Sequence, residues 1–441
     1  MKKRNKNRRQ FIRNIGSGLL GAGLLHQKSS AAYPGYYQDD PPKIQRYRRL
    51  GRTGAMVSDI GSGIPTSSTV LKAVLDAGVN FIETSESYSN GRNETLIGNV
   101  IKNFQRDRLF IATKAYPAMK LFKSSDDVIQ RAEGSLKRLK TDYIDLYMVH
   151  QAQSIFRVKD EYFHKAADML KKQGKIRFTG LSCHAPEWGP EASENLEDIL
   201  MAAIEDGRFD VLFLPYNFLS NKMGERILKT CNEHDIGTMI MKSNPILAYE
   251  NYLSMMESGR EVDRTDQKYY EGLHEAMQEA DIFFKMYNMN DMEELKDGAV
   301  QFILSNPNVH TICCRFRTFS DIQKYVSLSG TTLDDRLAQK LNDFKDKLGS
   351  LHCRIGCNIC ESKCPHHVPV NSIMRYNYYF HSHGMEKTAM QYYQDLPGGK
   401  AGLCRDCEGY CEKACPHGVL SRFLLARIHE DLSFNPRNPQ A

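Results

Sequence analysis

Between Tyr47 and Asp346 the sequence alternates eight short apolar runs with eight amphipathic stretches. The runs lie at 58–62, 79–84, 109–114, 144–150, 176–182, 211–216, 237–242 and 311–314, and the amphipathic stretches at 69–77, 94–103, 126–139, 161–173, 195–205, 224–234, 292–305 and 320–329. Short runs with helical stretches between them read as parallel strands joined by crossover helices. Eight such units predict a closed (β/α)8 TIM barrel over 47–346. A doubly wound open sheet is the alternative, and the lack of a Gly-x-Gly-x-x-Gly after the first run weighs against it. Residues 243–291 break the rhythm and read as a helix-containing insertion over the barrel mouth.

Eight of the twelve cysteines follow the barrel, as Cys353-x3-Cys357-x2-Cys360-x3-Cys364-Pro and Cys404-x2-Cys407-x3-Cys411-x3-Cys415-Pro. Close spacing lets one loop supply three thiolates to a single cage, while the fourth crosses to the other cluster. That logic joins Cys353, Cys357, Cys360 and Cys415 around one [4Fe–4S] cluster, and Cys404, Cys407, Cys411 and Cys364 around a second. Disulfides and structural zinc compete for the same residues. Neither accounts for a proline closing both runs. The stretches after each run have helical periodicity, so the cysteines sit on loops that open helices, with proline at or near the first helical position. The segment resembles the helical ferredoxin module of succinate dehydrogenase iron–sulfur subunits and is expected over 347–430, with a tail at 431–441.

The formal charge of +6 comes from the amino-terminal end: residues 1–32 carry eight Lys and Arg and no acid, leaving 51 basic against 53 acidic residues. The body therefore offers no electrostatic case for nucleic acid, and no run of eighteen apolar residues offers a membrane span. Arg8-Arg9, Phe11-Ile12, a Gly-rich apolar run and "SSAA" resemble a bacterial twin-arginine signal over 1–32, followed by a linker at 33–46. That route carries proteins already folded around their cofactors, which suits the cysteine runs.

In a barrel of this kind the chemistry lies at the carboxyl ends of the strands. Those ends carry Glu83, Tyr88, Lys114, His150, Ser182-Cys183-His184, Tyr216-Asn217, Lys242 and Arg315. A lysine beside a tyrosine favours tyrosinate and so brings the phenol into reach as an acid–base group, histidine orients a carbonyl oxygen, and the carboxylate pairs with lysine.

"LGRTGAMVSDIG", "AGVNFIETSESY", "IATK", "TDYIDLYMVH", "KKQGKIRFTGLS" and "LSNPNVHT" resemble the aldo/keto reductases in order and spacing, over about residues 45–425 with the branch that carries a C-terminal iron–sulfur module. The resemblance implies a catalytic tetrad at Tyr88, Lys114, His150 and Glu83 and an NADP-type cofactor near Ser182, Cys183 and Tyr216. Several positions depart from it. The family's aspartate is Glu83. Cys183 replaces an amide-bearing asparagine, and Phe213 a glutamine. Cys313-Cys314-Arg315 replaces the phosphate turn, and Lys324-Tyr325 the pair that holds adenine. Arg315, Arg317 and Lys324 are the phosphate-binding candidates left, and these departures speak against conventional NADP(H) binding.

The sequence thus predicts an exported, periplasmic iron–sulfur oxidoreductase that interconverts a carbonyl and an alcohol. Its electrons pass through two [4Fe–4S] clusters or a tightly bound nicotinamide. Its partners are a small carbonyl or alcohol substrate, a redox protein and the export machinery. A non-catalytic electron-transfer or binding protein on a decayed reductase barrel is the alternative.

Overall fold

The computed structural model describes residues 41–117, 122–185, 194–247, 249–250, 267–288 and 292–433. The twin-arginine reading lies outside them. The described residues form ten strands: β1 (Tyr47–Arg49), β2 (Met56–Ser58), β3 (Ile60–Gly63), β4 (Phe81–Glu83), β5 (Phe110–Ala115), β6 (Ile144–Val149), β7 (Ile176–Ser182), β8 (Val211–Pro215), β9 (Gly237–Met241) and β10 (Thr311–Cys314). The last eight close into a barrel in sequence order, with β10 pairing β3. The closing register is parallel, Ile312 opposite Ile60 and Cys314 opposite Ser62.

The helices of nine or more residues among those described are α1 (Ser68–Asp76), α2 (Arg92–Ile101), α3 (Ser125–Leu139), α4 (Glu161–Lys172), α5 (Leu196–Asp206), α6 (Asn221–Glu233), α7 (Gln267–Met286), α8 (Glu293–Leu304), α9 (Phe319–Ser327), α10 (Asp335–Leu348), α11 (Val370–His383), α12 (Glu386–Asp395) and α13 (Ser421–Leu432). Many start where a short polar side chain satisfies a free N–H. Ser67 caps α1, Ser124 caps α3, and Asn195 and Thr318 form full capping boxes on α5 and α9.

Side-chain direction alternates along each strand. Phe81, Phe110, Ala112, Leu146, Met148, Val211, Phe213 and Met239 fill the barrel interior. Their neighbours, among them Ile82, Ile111, Leu181, Leu212, Leu214 and Ile240, face the helix layer. The β1–β2 hairpin is one element that hydrophobic periodicity missed. It contributes Leu50, fully buried, to the barrel interior. The turn beyond it fits only because residue 51 is glycine: its φ is +46°, and a Cβ there would meet the backbone nitrogen of Gly237 at 2.3 Å.

Two other expectations are corrected. The insertion after β9 does contain a helix, α7, but α7 packs on α10 and α13, and the barrel mouth is covered by α11. The prolines after the fourth cysteines do not open helices. Pro365 precedes α11 by five residues, and Pro369 stands at its N-cap. The carboxylates that receive the helix starts are Glu361, bonded by the Asn371 N–H at 2.7 Å, and Glu412, bonded by the Arg422 N–H at 2.9 Å. Each directly follows the third cysteine of its run, so the two runs are repeats in three dimensions.

The C-terminal helices do not stand apart from the barrel. Phe218, Phe283, Leu295 and Phe344 share one buried core with Leu351, Ile373, Tyr376, Phe423 and Leu425. Among the described residues no helix is long and apolar enough to cross a membrane.

Candidate active site

The tetrad residues come from three neighbouring strand ends. Glu83 closes β4, Tyr88 lies in the loop after it, Lys114 is on β5, and His150 follows β6. Lys114 is fully buried, and its ammonium donates to Glu83 Oε1, to the Thr84 carbonyl at 2.7 Å and to Tyr88 Oη at 3.3 Å. A buried cation survives only with such partners. Tyr88 donates in turn to Glu83 Oε1 at 3.2 Å.

This arrangement reverses one expectation. The lysine does not bring the tyrosine down. Burial, then the charge of Glu83 and its hydrogen bond, hold the Tyr88 phenol well above its ordinary value of 10. At neutral pH Tyr88 is therefore a loaded proton donor. Glu83→Asp draws the carboxylate back by about 1.5 Å, one carbon–carbon bond. That weakens two of the causes that raise the phenol, the charge and the hydrogen bond of Glu83, so Tyr88 should deprotonate at lower pH. The alkaline limb of carbonyl reduction is then expected about one pH unit lower than in the parent, measured as kcat/KM against pH. An unmoved limb would show that Glu83 does not hold the proton.

His150 is buried, and burial followed by the charges of Lys114 and Arg157 keeps it well below the ordinary histidine range. Its ring is thus neutral. Nδ1 sits 3.1 Å from Ser85 Oγ and 3.4 Å from Ser87 Oγ, while Nε2 is buried without a hydrogen-bond partner. In the tautomer in which Nδ1 accepts from Ser85 or Ser87, Nε2 carries the proton. The rings of Tyr88 and His150 meet edge-on at 5.5 Å, so a carbonyl oxygen between them would meet two donors. An open groove of about 730 Å³ reaches Tyr88, Tyr116 and His150, and Met385 and Tyr392 of the C-terminal segment form its far wall.

Helix α11 closes the centre of the mouth. Arg375 Nη1 donates to the carbonyls of His184 at 3.3 Å and Ala185 at 3.0 Å, and Tyr379 Oη meets His184 Nδ1 at 3.2 Å. Sequence reasoning marked this stretch only as helical and aromatic.

The cofactor candidates are scattered. Tyr216, which the resemblance places near the cofactor, is turned into the helix layer, where its ring tilts against Phe302 at 5.5 Å and its hydroxyl meets Asn306 at 3.1 Å. Cys183 also faces that layer, and burial pushes its thiol up to about 12. Ser182 Oγ accepts from the Gln151 N–H at 3.0 Å and lies 3.4 Å from the Val149 carbonyl. The Lys324 amine is paired with Glu293 and lies 3.9 Å from Asp297, so it is not a free phosphate ligand. Arg315 and Arg317 remain at the rim, where both influence Tyr378 of α11. Among the described residues these side chains do not converge on one seat for a nicotinamide ring.

Electrostatic influence among the cysteines crosses between the two runs. Cys353 lies under the influence of Cys357 and Cys415, Cys357 under that of Cys415, and Cys404 under that of Cys411, Cys364 and Cys407. Cys360 feels Cys353 and Cys415, and also Cys411 of the second set, so the sets adjoin. None of the twelve cysteines is in a disulfide. Among the described residues no three His, Cys, Asp or Glu side chains converge tightly enough for a single ion. A cubane cluster spreads its four thiolates around a larger cage. Sulfur also receives donors here, from Asn371 Nδ2 to Cys353 at 3.3 Å and from Ser421 Oγ to Cys411 at 3.1 Å. Burial raises the thiols of Cys353, Cys357, Cys360, Cys404 and Cys411, so thiolates there need a cationic partner. These residues fit cluster ligation.

Barrel and strand ends together define a (β/α)8 barrel with an acid–base cluster of side chains at the carboxyl ends of its strands. The chain belongs to the aldo/keto reductase family, whose profile matches residues 64–346, more than half of its length. Aldo-keto reductase YhdN of Bacillus subtilis is 28% identical over 219 residues, which cover 45% of this chain and 61% of that one. Methylglyoxal reductase YeaE of Escherichia coli is 34% identical over 117 residues, 26% of this chain and 39% of that one. The chain thus spans less than two thirds of the length of these curated relatives. Among solved structures, the holo form of aldo-keto reductase AKR11C1 from Bacillus halodurans matches at 22% identity and a TM-score of 0.49, covering 67% of this chain and 95% of that one. An aldo-keto reductase from Klebsiella pneumoniae in complex with NADPH matches at 19% and 0.48, covering 71% and 99%.

Proposed function

We propose that this protein is an exported iron–sulfur oxidoreductase that reduces a small carbonyl compound to the alcohol. The observation that carries the reading is Tyr88 held protonated beside Glu83 and Lys114, with the unpartnered Nε2 of His150 near it. The substrate oxygen accepts from both groups. As the carbon receives two electrons, Tyr88 gives its proton to the oxygen, and the Lys114 ammonium steadies the tyrosinate. A second proton completes the alcohol on carbon. Two [4Fe–4S] clusters, one on each crossed cysteine set, supply one-electron transfer when bound. The electrons originate from a one-electron redox partner. Delivery to the periplasm by the twin-arginine route is part of the proposal and is supported by the sequence of residues 1–32.

The covered mouth favours a second reading, a non-catalytic electron-transfer protein. The test is anaerobic turnover of an aldehyde and ketone panel by the iron-loaded full chain, with reduced methyl viologen or NADPH as the reductant. Viologen-driven reduction without NADPH-driven reduction is expected. NADPH-driven turnover alone would overturn the proposed electron source, and no turnover with either would favour the second reading.

A further inference from the structure

In both cysteine runs the residue after the first cysteine is arginine, Arg354 in one and Arg405 in the other. The fold treats the two differently. Arg354 is only 7% exposed. Its Nη1 donates to the carbonyls of Gly349, at 2.7 Å, and His352, and its Nε is buried without a partner. Gly349 leaves it room, since a Cβ there would stand 3.0 Å from Arg354 Nη2. The charges acting on Arg354 are the thiols of Cys353, Cys415 and Cys357, with no carboxylate among them. Burial draws its pKa down, yet a guanidinium stays charged at any working pH. Arg405 turns outward: its side chain is 47% exposed and pairs with Glu430 at 3.0 Å.

The other groups near the sulfurs are closely matched between the two sets. Each run has one carboxyl in the same place, Glu361 and Glu412. Each has a side-chain donor on sulfur, Asn371 on Cys353 and Ser421 on Cys411, and the Val368 N–H adds a long contact of 3.5 Å to Cys364. Arg422 is half-buried and gives its Nη1 to the Cys407 carbonyl at 2.5 Å. The charges that act most on Cys404 and Cys411 are other thiols and Glu412. The main difference is therefore the buried charge of Arg354, and a charge kept from solvent outweighs one neutral hydrogen bond.

The first run also lies against the barrel. The Leu196 N–H that opens α5 reaches the Gly356 carbonyl at 3.3 Å, and a Cβ on Gly356 would meet that of Leu196 at 2.3 Å. Cys353 lines one small cavity together with Lys242, which follows β9, and Tyr378 of α11. A cluster gains one negative charge on reduction, so a fixed cation beside it raises its potential. We infer that Arg354 is the counter-charge of the first-run cluster and makes it the higher-potential cluster of the two, so that an electron entering the chain settles beside the barrel. This rests on the two-cluster reading above and gives it a direction.

The test uses the full chain loaded with iron and sulfide, reduced anaerobically by methyl viologen one equivalent at a time and followed by electron paramagnetic resonance. Iron and sulfide are counted first. About eight of each are the condition for two clusters, and a chain that takes up none sinks the cluster reading and this inference with it. In the filled chain the first electron is expected in the signal that survives in Cys407→Ser, which lacks the second-run cluster. Arg354→Gln should make that cluster roughly tenfold harder to reduce, a fall of about 59 mV for one electron, and leave the other where it was. Arg354→Lys should restore most of the potential, and Arg405→Gln, which removes an exposed charge, should move neither. A first electron in the signal that Cys407→Ser loses, or an unmoved potential in Arg354→Gln, would overturn the inference and leave two clusters standing. If Arg354→Gln empties the first set, Arg354→Lys decides: a filled set near the parent potential supports the counter-charge, whereas a lowered potential or an empty set would make Arg354 structural and overturn it.

Discussion

Tyr88→Phe is expected to lower kcat/KM for carbonyl reduction by about 10³-fold, the usual worth of a positioned general acid. The change deletes one hydroxyl whose partners are Glu83 at 3.2 Å and Lys114 at 3.3 Å. Those two keep each other, because the Lys114–Glu83 ion pair does not pass through the phenol. The ring also keeps its edge-on contact with His150. Stability should therefore fall by only about 1–2 kcal/mol, one hydrogen-bonding group. Thermal melting and kinetics on the same preparation separate the two effects. Turnover within a few-fold of the parent would remove Tyr88 from the mechanism, and loss of folding would show that its hydroxyl is structural.

The second large effect concerns Cys415→Ser. The full chain should carry about eight iron and eight sulfide, the content of two cubane clusters. Cys415 belongs to the second run by sequence, but its charge bears on Cys353, Cys357 and Cys360 of the first. Its loss should empty or degrade the first-run cluster and leave the set at Cys404, Cys407, Cys411 and Cys364 filled. About half the iron and one of two spectroscopic signals should remain. Cys364→Ser should do the reverse. If Cys415→Ser instead removed the cluster of its own run, the crossing would be wrong, and stoichiometric zinc without sulfide would rule out clusters altogether.

Much of the barrel was legible because parallel strands buried on both faces read as continuous apolar runs. Predicted and observed strands agree to within about two residues, and the tetrad followed from reading strand ends. The error at Tyr216 was avoidable in principle. It lies three residues from Phe213, an odd step, so the two must face opposite sides of the sheet, and Phe213 is the inward one. Glu361 and Glu412 were also visible as the residue after the third cysteine in both runs. The contact between Tyr379 and His184 was not. It joins positions 195 apart in sequence, and no local periodicity specifies which helix closes the mouth. The upward push on Tyr88 was hidden for a different reason: it depends on how deeply the phenol is buried and on the reach of one glutamate.

The shared core of Phe218, Phe283 and Phe344 with Ile373, Phe423 and Leu425 sets an order of events during synthesis. A ribosome releases the eight barrel strands well before α11 and α13 emerge. Until then the aromatic patch has nothing to cover it, and the mouth lacks Tyr379 and Arg375. The nascent barrel thus has a sticky flank and an open mouth, and the same late segment that shields the flank also brings the cysteines. Closure of the barrel mouth and arrival of the eight cysteines therefore fall together, after the barrel strands are made.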